Sequence, residues 1–212
     1  MRLFGLRAFA SGNTASFLYH AALYGTLFFM AQFLQNAQGN GPLGAGLRLL
    51  PWTATLFVVA PLAGRVINRI GERPLVVAGL LLQAAGLAWI ALIAAPELAY
   101  AKLVTPLILA GAGISMAMPA AQNAVLGSVA ASEIGKASGT FNMLRFLGGV
   151  FGIAILVAVF AGSGSLRSPQ AFNAGFAAVI SVSALLSLLG AIAGLGLPGR
   201  RRAALMPAEA GA

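Results

Sequence analysis

Six long apolar runs, separated by short stretches rich in Gly, Pro, Ser and charge, organise the chain. They cover residues 14–36, 45–67, 74–95, 103–129, 138–161 and 172–197. Each reaches the ~20 residues that an α-helix needs to cross the hydrocarbon core of a bilayer. None alternates apolar and polar positions as a membrane β-strand does. The pattern therefore predicts an all-α membrane protein with six transmembrane helices. The breaks agree with it. Gln38-Gly39-Asn40-Gly41-Pro42 follows the first run, Gly162-Ser163-Gly164-Ser165 the fifth, and Pro198-Gly199 closes the sixth. Pro74 opens the third run at a first-turn position, where its missing N–H costs nothing, and Pro96 and Glu97 end it. Residues 1–13 form a short N-terminal segment, 14–197 the transmembrane domain and 198–212 a polar tail. The first run is too long for the core of a signal peptide and lacks a small-residue cleavage site, so it is read as a retained helix.

Composition narrows the function classes. Of 212 residues, 59% are hydrophobic and 8% charged, against about 25% charged in a soluble domain. Together with a mean hydropathy of +0.92, this excludes a soluble globular fold and a disordered chain. The chain has no Cys, one His and four acidic residues, none of them Asp. It offers no material for a metal centre, an acid–base pair or a thiolate, so neither an enzyme nor a cofactor is expected. The net charge of +9 does not point to nucleic acid, because the basic residues sit at the ends of apolar runs. With the N-terminus placed in the cytoplasm, inner segments hold Arg2, Arg7, Arg65, Arg69, Arg73, Lys136, Arg200, Arg201 and Arg202. Outer loops hold only Lys102 and Arg167. This excess of positive charge inside predicts that both termini are cytoplasmic. Arg48 and Arg145 fall near helix ends, where a long side chain can snorkel to the interface.

Polar groups inside the spans are the candidate chemistry. His20, Tyr24, Phe28 and Gln35 follow helical spacing along one face of the first run. Gln83 lies near mid-depth of the third; Gln122, Asn123 and Asn142 lie toward the cytoplasmic ends of the fourth and fifth. In lipid such groups cost free energy unless they meet partners or a water-filled cavity. Interhelical hydrogen bonding and the lining of a substrate path both remain open. His20 is the only deep group whose charge changes near neutral pH. Gly148, Gly149 and Gly152, like Gly190 and Gly194, suit close helix approach. Gly111, Gly113 and Pro119 break the fourth run and, with Arg145, Gly148 and Gly149, are candidates for bending or gating; a static kink is the plainer reading. Between the second and third runs, Gly64 would let helices approach and Gly71 would permit a tight turn. Arg65, Arg69 and Arg73 there can bond helix C-terminal carbonyls and neighbouring carboxylates.

That loop, Gly64-Arg65-Val66-Ile67-Asn68-Arg69-Ile70-Gly71-Glu72-Arg73, resembles the G-x-L-x-D-R-x-G-R-R loop of the major facilitator superfamily, with Asn68 where the pattern has Asp. Phe33-Leu34-Gln35, Gly41 to Pro51, Ala137-Ser138-Gly139 and Arg145 to Gly152 extend the match over residues 3–199. Together they resemble the last six helices of the fourteen-span drug:proton antiporter branch, with Phe146 where a Gln is expected. The resemblance implies a C-terminal half or fragment of a transporter more than twice this length, built as two inverted three-helix repeats. It further implies a loop that acts as a conformational latch, and substrate bound between halves near the membrane centre. The implied activity is proton-coupled export of drugs, antibiotics or other amphipathic small molecules by a multi-pass protein of a bacterial inner membrane. The implied partners are the lipid bilayer, a missing N-terminal half or a second copy, the exported molecule, and protons. Glu72, Glu97, Glu133 and Glu209 all fall in loops or the tail, so His20 is the only titratable candidate for a proton carrier in the spans. The alternative is a non-transporting scaffold or partner subunit, in which the polar groups only bind helices together.

Overall fold

Hydrocarbon offers no water to bond a free peptide group, so a lipid-exposed chain must satisfy its backbone within helices. The computed structural model, which describes residues 2–199, does this with helices throughout. Helix α1 is Arg7–Gln32 and runs into a π-helical turn, Phe33–Ala37. The second span is bent, with α2 at Pro42–Arg48 and α3 at Leu50–Ile70. Helices α4 (Glu72–Ile93), α5 (Tyr100–Leu126), α6 (Ile134–Ser163) and α7 (Pro169–Gly194) follow. Six of these segments are long and apolar enough to cross a membrane. The expected tail from Arg200 onward lies outside the described residues.

Local chemistry explains the helix ends. Helix α1 starts at Arg7, ahead of the apolar run at 14, and Asn13 Nδ2 bonds back within the helix to the Phe9 carbonyl at 2.8 Å. Ser168 caps α7 by accepting from the Ala171 N–H at 3.1 Å, and Pro169 follows in the first turn. A single residue, Gly71, joins α3 to α4 with φ 86°. That angle is open to glycine and strained for an L side chain. Helix α5 is continuous through Gly111, Gly113 and Pro119, so the expected break in the fourth run is absent. Pro106 and Pro119 in α5, and Pro61 in α3, all lie within helices, as packed neighbours allow in membranes.

The helices pack in a pattern that maps onto itself. Helix α1 lies on α6 as α5 lies on α3, and α7 lies on α1 as α4 lies on α5. The remaining large contacts pair α4 with α7 and α1 with α5. Exchanging α1–α3–α4 with α5–α6–α7 reproduces every one of these contacts. Three spans are an odd number, so the second triplet enters from the opposite face and the two repeats are inverted. Within a repeat the helices touch sparsely; most contacts run between repeats.

Glycine sets the closest approaches. A Cβ at Gly79 would lie 2.5 Å from the Gly113 carbonyl, and one at Gly86 would lie 2.6 Å from Ala110 N, so α4 and α5 meet backbone to backbone. Near one end, Phe33 and Phe176 stack at 4.3 Å inside an apolar cluster with Leu87, Ile90 and Leu107. Near the other, Tyr19, Leu80, Ala117 and Ala121 form a second cluster. Helices α3 and α6 stand apart from this core. Only 11% of the most apolar stretch of α3 and 22% of that of α6 is buried, against 56% for α1 and for α5.

Candidate substrate path

The seam between α1 and α6 is where candidate residues meet. Because Gly148, Gly149 and Gly152 carry no side chain, α6 can press against α1. A Cβ at Gly148 would strike the Phe17 backbone, one at Gly152 the Ala21 backbone, and one at Gly149 would lie 2.7 Å from the Tyr24 ring. These glycines are therefore packing residues first. Arg145 sits one turn before Gly149. Its carbon Cζ lies 5.9 Å from the Phe146 ring centroid.

His20 is fully buried, and its partners come from its own helix. Its Nδ1 lies 2.8 Å from the Ser16 carbonyl and 3.3 Å from Ser16 Oγ. A carbonyl can only accept, so Nδ1 carries a proton, and in the neutral ring Nε2 presents a lone pair. Nε2 is buried and has no partner among the described residues. The ring lies between Tyr19 at 4.3 Å and Tyr24 at 6.0 Å. Tyr24 is half-buried and Phe28 is exposed, with Phe28 set edge-on against Phe29 at 5.2 Å. Gln35 lies away from this group, in the π-helical turn at the other end of α1.

The remaining polar candidates do not join this group. Gln83 is fully buried on α4, which packs on α5 and α7, and both of its amide atoms lack partners. Gln122 and Asn123 are exposed in the last turns of α5. Asn142 is exposed on α6 and donates from Nδ2 to the Ser138 carbonyl at 3.1 Å. Gly111 and Gly113 face different neighbours. A Cβ at Gly111 would strike Thr55 of α3, and one at Gly113 would meet α4 at Gly79 and Gln83.

The loop motif departs from expectation at one glycine. Gly64 has open space where its Cβ would be, so within this chain it brings no helix close. Its face is turned outward, along with exposed Arg65, Arg69 and Arg73. Asn68 lies in the last turn of α3. Gly71 makes the tight turn its motif position predicts.

Some polar groups carry no sequence signal strong enough to find them. Ser16 is one turn from His20, and that spacing could have paired them. At the opposite end, Arg48 does more than snorkel. It donates from Nη1 to Gln38 Oε1 at 3.3 Å and lies 5.2 Å over the Tyr100 ring. Gln38 Nε2 donates to the Leu98 carbonyl at 2.9 Å, and the Tyr100 hydroxyl donates to the Arg48 carbonyl at 3.2 Å. This network ties the start of the second span to the α4–α5 turn across 52 and 60 residues of sequence.

Known proteins resolve what this assembly belongs to. The family described as Major Facilitator Superfamily matches residues 13–207. The chain is 35% identical over 140 residues to the multidrug resistance protein Stp of Mycobacterium tuberculosis, covering 66% of this chain and 26% of that protein. It is 32% identical over 170 residues to the cephamycin export protein CmcT of Amycolatopsis lactamdurans, covering 79% of this chain and 35% of that one. To the multidrug transporter protein MdtP of Bacillus subtilis it is 29% identical over 173 residues, covering 80% and 31%. The chain thus spans about a quarter to a third of the length of these curated relatives. With six inverted-repeat helices and a family match across most of its length, the chain belongs to the Major Facilitator Superfamily, a family of membrane transporters rather than enzymes.

Proposed function

We propose that the chain forms the C-terminal half of a proton-coupled exporter of amphipathic small molecules, drugs and antibiotics among them, in a bacterial inner membrane. Both termini face the cytoplasm in this reading. The observation that carries it is the pairing of a covered polar and aromatic seam with two uncovered helices. His20, Tyr24 and Arg145 gather on α1 and α6, while α3 and α6 leave most of their surface free. A second six-helix half seated against those faces would enclose a path between the halves, with α1 on its wall. Relatives named for multidrug resistance and antibiotic export support the substrate class.

Drive is the second part of the proposal. The acidic residues of the described helices stand at helix starts, Glu72 in the first turn of α4 and Glu133 just before α6, and not deep in a span, so the proton is carried by His20 or by a group of the other half. The chain alone, in proteoliposomes, is expected to show no dye movement that an uncoupler abolishes. Co-expression with a matching N-terminal half restores it. Uncoupler-sensitive extrusion by this chain alone would overturn the half-transporter reading.

A further inference from the structure

The second span is made of two pieces, and the joint between them has a chemical cause. Helix α2 ends at Arg48 and α3 begins at Leu50. Pro51 has no N–H to give to the preceding turn, and the Trp52 N–H turns to the Leu49 carbonyl at 3.1 Å. The Arg48 carbonyl thus loses both donors that a continuing helix would offer it, and the Tyr100 hydroxyl takes their place at 3.2 Å. At the other end of α2, Asn40 is held by the Leu34 carbonyl at 2.8 Å, but nothing lies within 4 Å of where a Cβ on Gly41 would be. Gly41 and Leu49 are therefore pliable points on either side of a seven-residue helix.

Between them α2 is lightly seated. Leu43 is 78% exposed and Leu47 is 56% exposed. Ala45 is the buried residue of this helix, set in the apolar cluster that holds Phe33, Leu34 and Trp52. The packing neighbours of α2 are α3 and the π-helical turn. What reaches further is the Arg48 side chain. Its Cζ stands 5.2 Å over the Tyr100 ring, and its Nη1 donates to Gln38 Oε1 at 3.3 Å. Gln38 Nε2 in turn donates to the Leu98 carbonyl at 2.9 Å. Single hydrogen bonds and a cation over a ring are contacts that water replaces at small net cost. A backbone-to-backbone apolar contact such as that of α4 on α5 is not released so easily.

We propose that α2 is a lid on this end of the bundle, which swings about Gly41 and Leu49 and is held shut by a strap of Arg48 on Tyr100 and Gln38. The lid goes beyond the half-transporter reading and does not depend on which molecule is carried. In the orientation proposed above it stands at the outer end, where an exporter releases its cargo. The competing role is a fixed tie that only stabilises the fold. The two pliable points favour a lid, because a fixed tie needs no joint on either side of it.

Labelling of the full chain in nanodiscs by a water-soluble maleimide tests this, since the chain has no native Cys. Ala45→Cys places a thiol at the buried position of α2. Ile90→Cys places one at an equally hidden position on α4, one turn before that helix ends at Ile93. With no other change, Ala45→Cys is expected to label at least tenfold faster than Ile90→Cys. Adding Arg48→Gln raises the Ala45→Cys rate at least fivefold. Adding Tyr100→Phe, which keeps the ring and loses the hydroxyl, raises it at least twofold. Both leave the Ile90→Cys rate within twofold. Equal labelling at the two positions with the strap intact overturns the lid, whether or not the strap variants fold. An Ala45→Cys rate unmoved by both strap variants overturns the strap. Equal acceleration at both positions assigns Arg48 to a tie for the whole fold and overturns the proposal as well.

Discussion

Substituting Gly152 by Ala probes the α1–α6 seam with a single methyl group. The added Cβ would fall on the carbonyl oxygen, Cα and carbonyl carbon of Ala21. All three are backbone atoms, and no rotamer change can move them. Carbon contacts are comfortable from roughly 3.5 Å, so the two helices must part by about 1 Å, which forfeits a quarter to a half of each dispersion contact along the seam. Overpacking of this kind costs about 1–3 kcal/mol. Two controls set the scale. A Cβ at Gly25 would press on the Leu156 side chain, which can turn aside, and meets backbone only at ordinary contact distance, 3.5 Å from the Gly152 carbonyl, so Gly25→Ala should cost less. Gly139, in the same helix as Gly152, has open space, so Gly139→Ala should be neutral or gain up to ~1 kcal/mol in helix propensity. Unfolding of the purified chain by sodium dodecyl sulfate in bicelles, followed by fluorescence of Trp52 and Trp89, ranks the three. Gly152→Ala within about 0.5 kcal/mol of the unmodified chain, the range of an uninvolved surface change, would refute the backbone-contact argument.

Three further outcomes are expected. Single cysteines are clean probes because the chain has none: those at Asn40, Glu97 and Ser165 should label from outside intact cells and those at Gly71 and Ser132 should not, and the reverse pattern would sink the proposed orientation. In the complete transporter, Arg69→Ala should lower transport while substrate binding stays near normal, and Asn68→Asp should be tolerated; abolished activity in Asn68→Asp would show that the latch role does not carry over to this loop. His20→Gln in the complete transporter should alter either the substrate range or the pH dependence of efflux, and unchanged efflux at every pH would return His20 to a packing role.

The spans were legible in the sequence because the bilayer imposes a length and an apolarity that no other fold shares. What misled was polarity read as a break. The mixed segment up to Asn13 stands outside the first apolar run, yet Asn13 bonds back within its own helix and α1 begins at Arg7. Gly111, Gly113 and Pro119 suggested a broken helix, but α5 is continuous through all three, with neighbouring backbones close against the glycines. At the site, helical spacing groups His20, Tyr24 and Phe28 on one face; in the structure His20 is buried, Tyr24 half-buried and Phe28 exposed. That Gln83 is fully buried on α4, with its backbone beside Gly113 of α5, depends on tertiary neighbours that spacing does not encode. The Arg48–Gln38–Tyr100 network spans residues too far apart for any local pattern to announce.

The sparseness of contacts within each repeat has a consequence for how the chain is made. Helices leave the ribosome in order, and α1, α3 and α4 barely touch one another. Each finds its main neighbours only among α5, α6 and α7. The first three helices therefore enter the bilayer as independent spans, stable as helices but without tertiary structure, as two-stage assembly allows. Packing begins only when α5 emerges to meet α3 and α4, and is completed when α6 and α7 cover α1 and α4. A ribosome stalled after α4 would leave three unpaired helices, with the glycine faces of α4 open to any other helix in the membrane. Quality-control proteases should recognise such a nascent chain more readily than a late truncation that keeps α5 and α6.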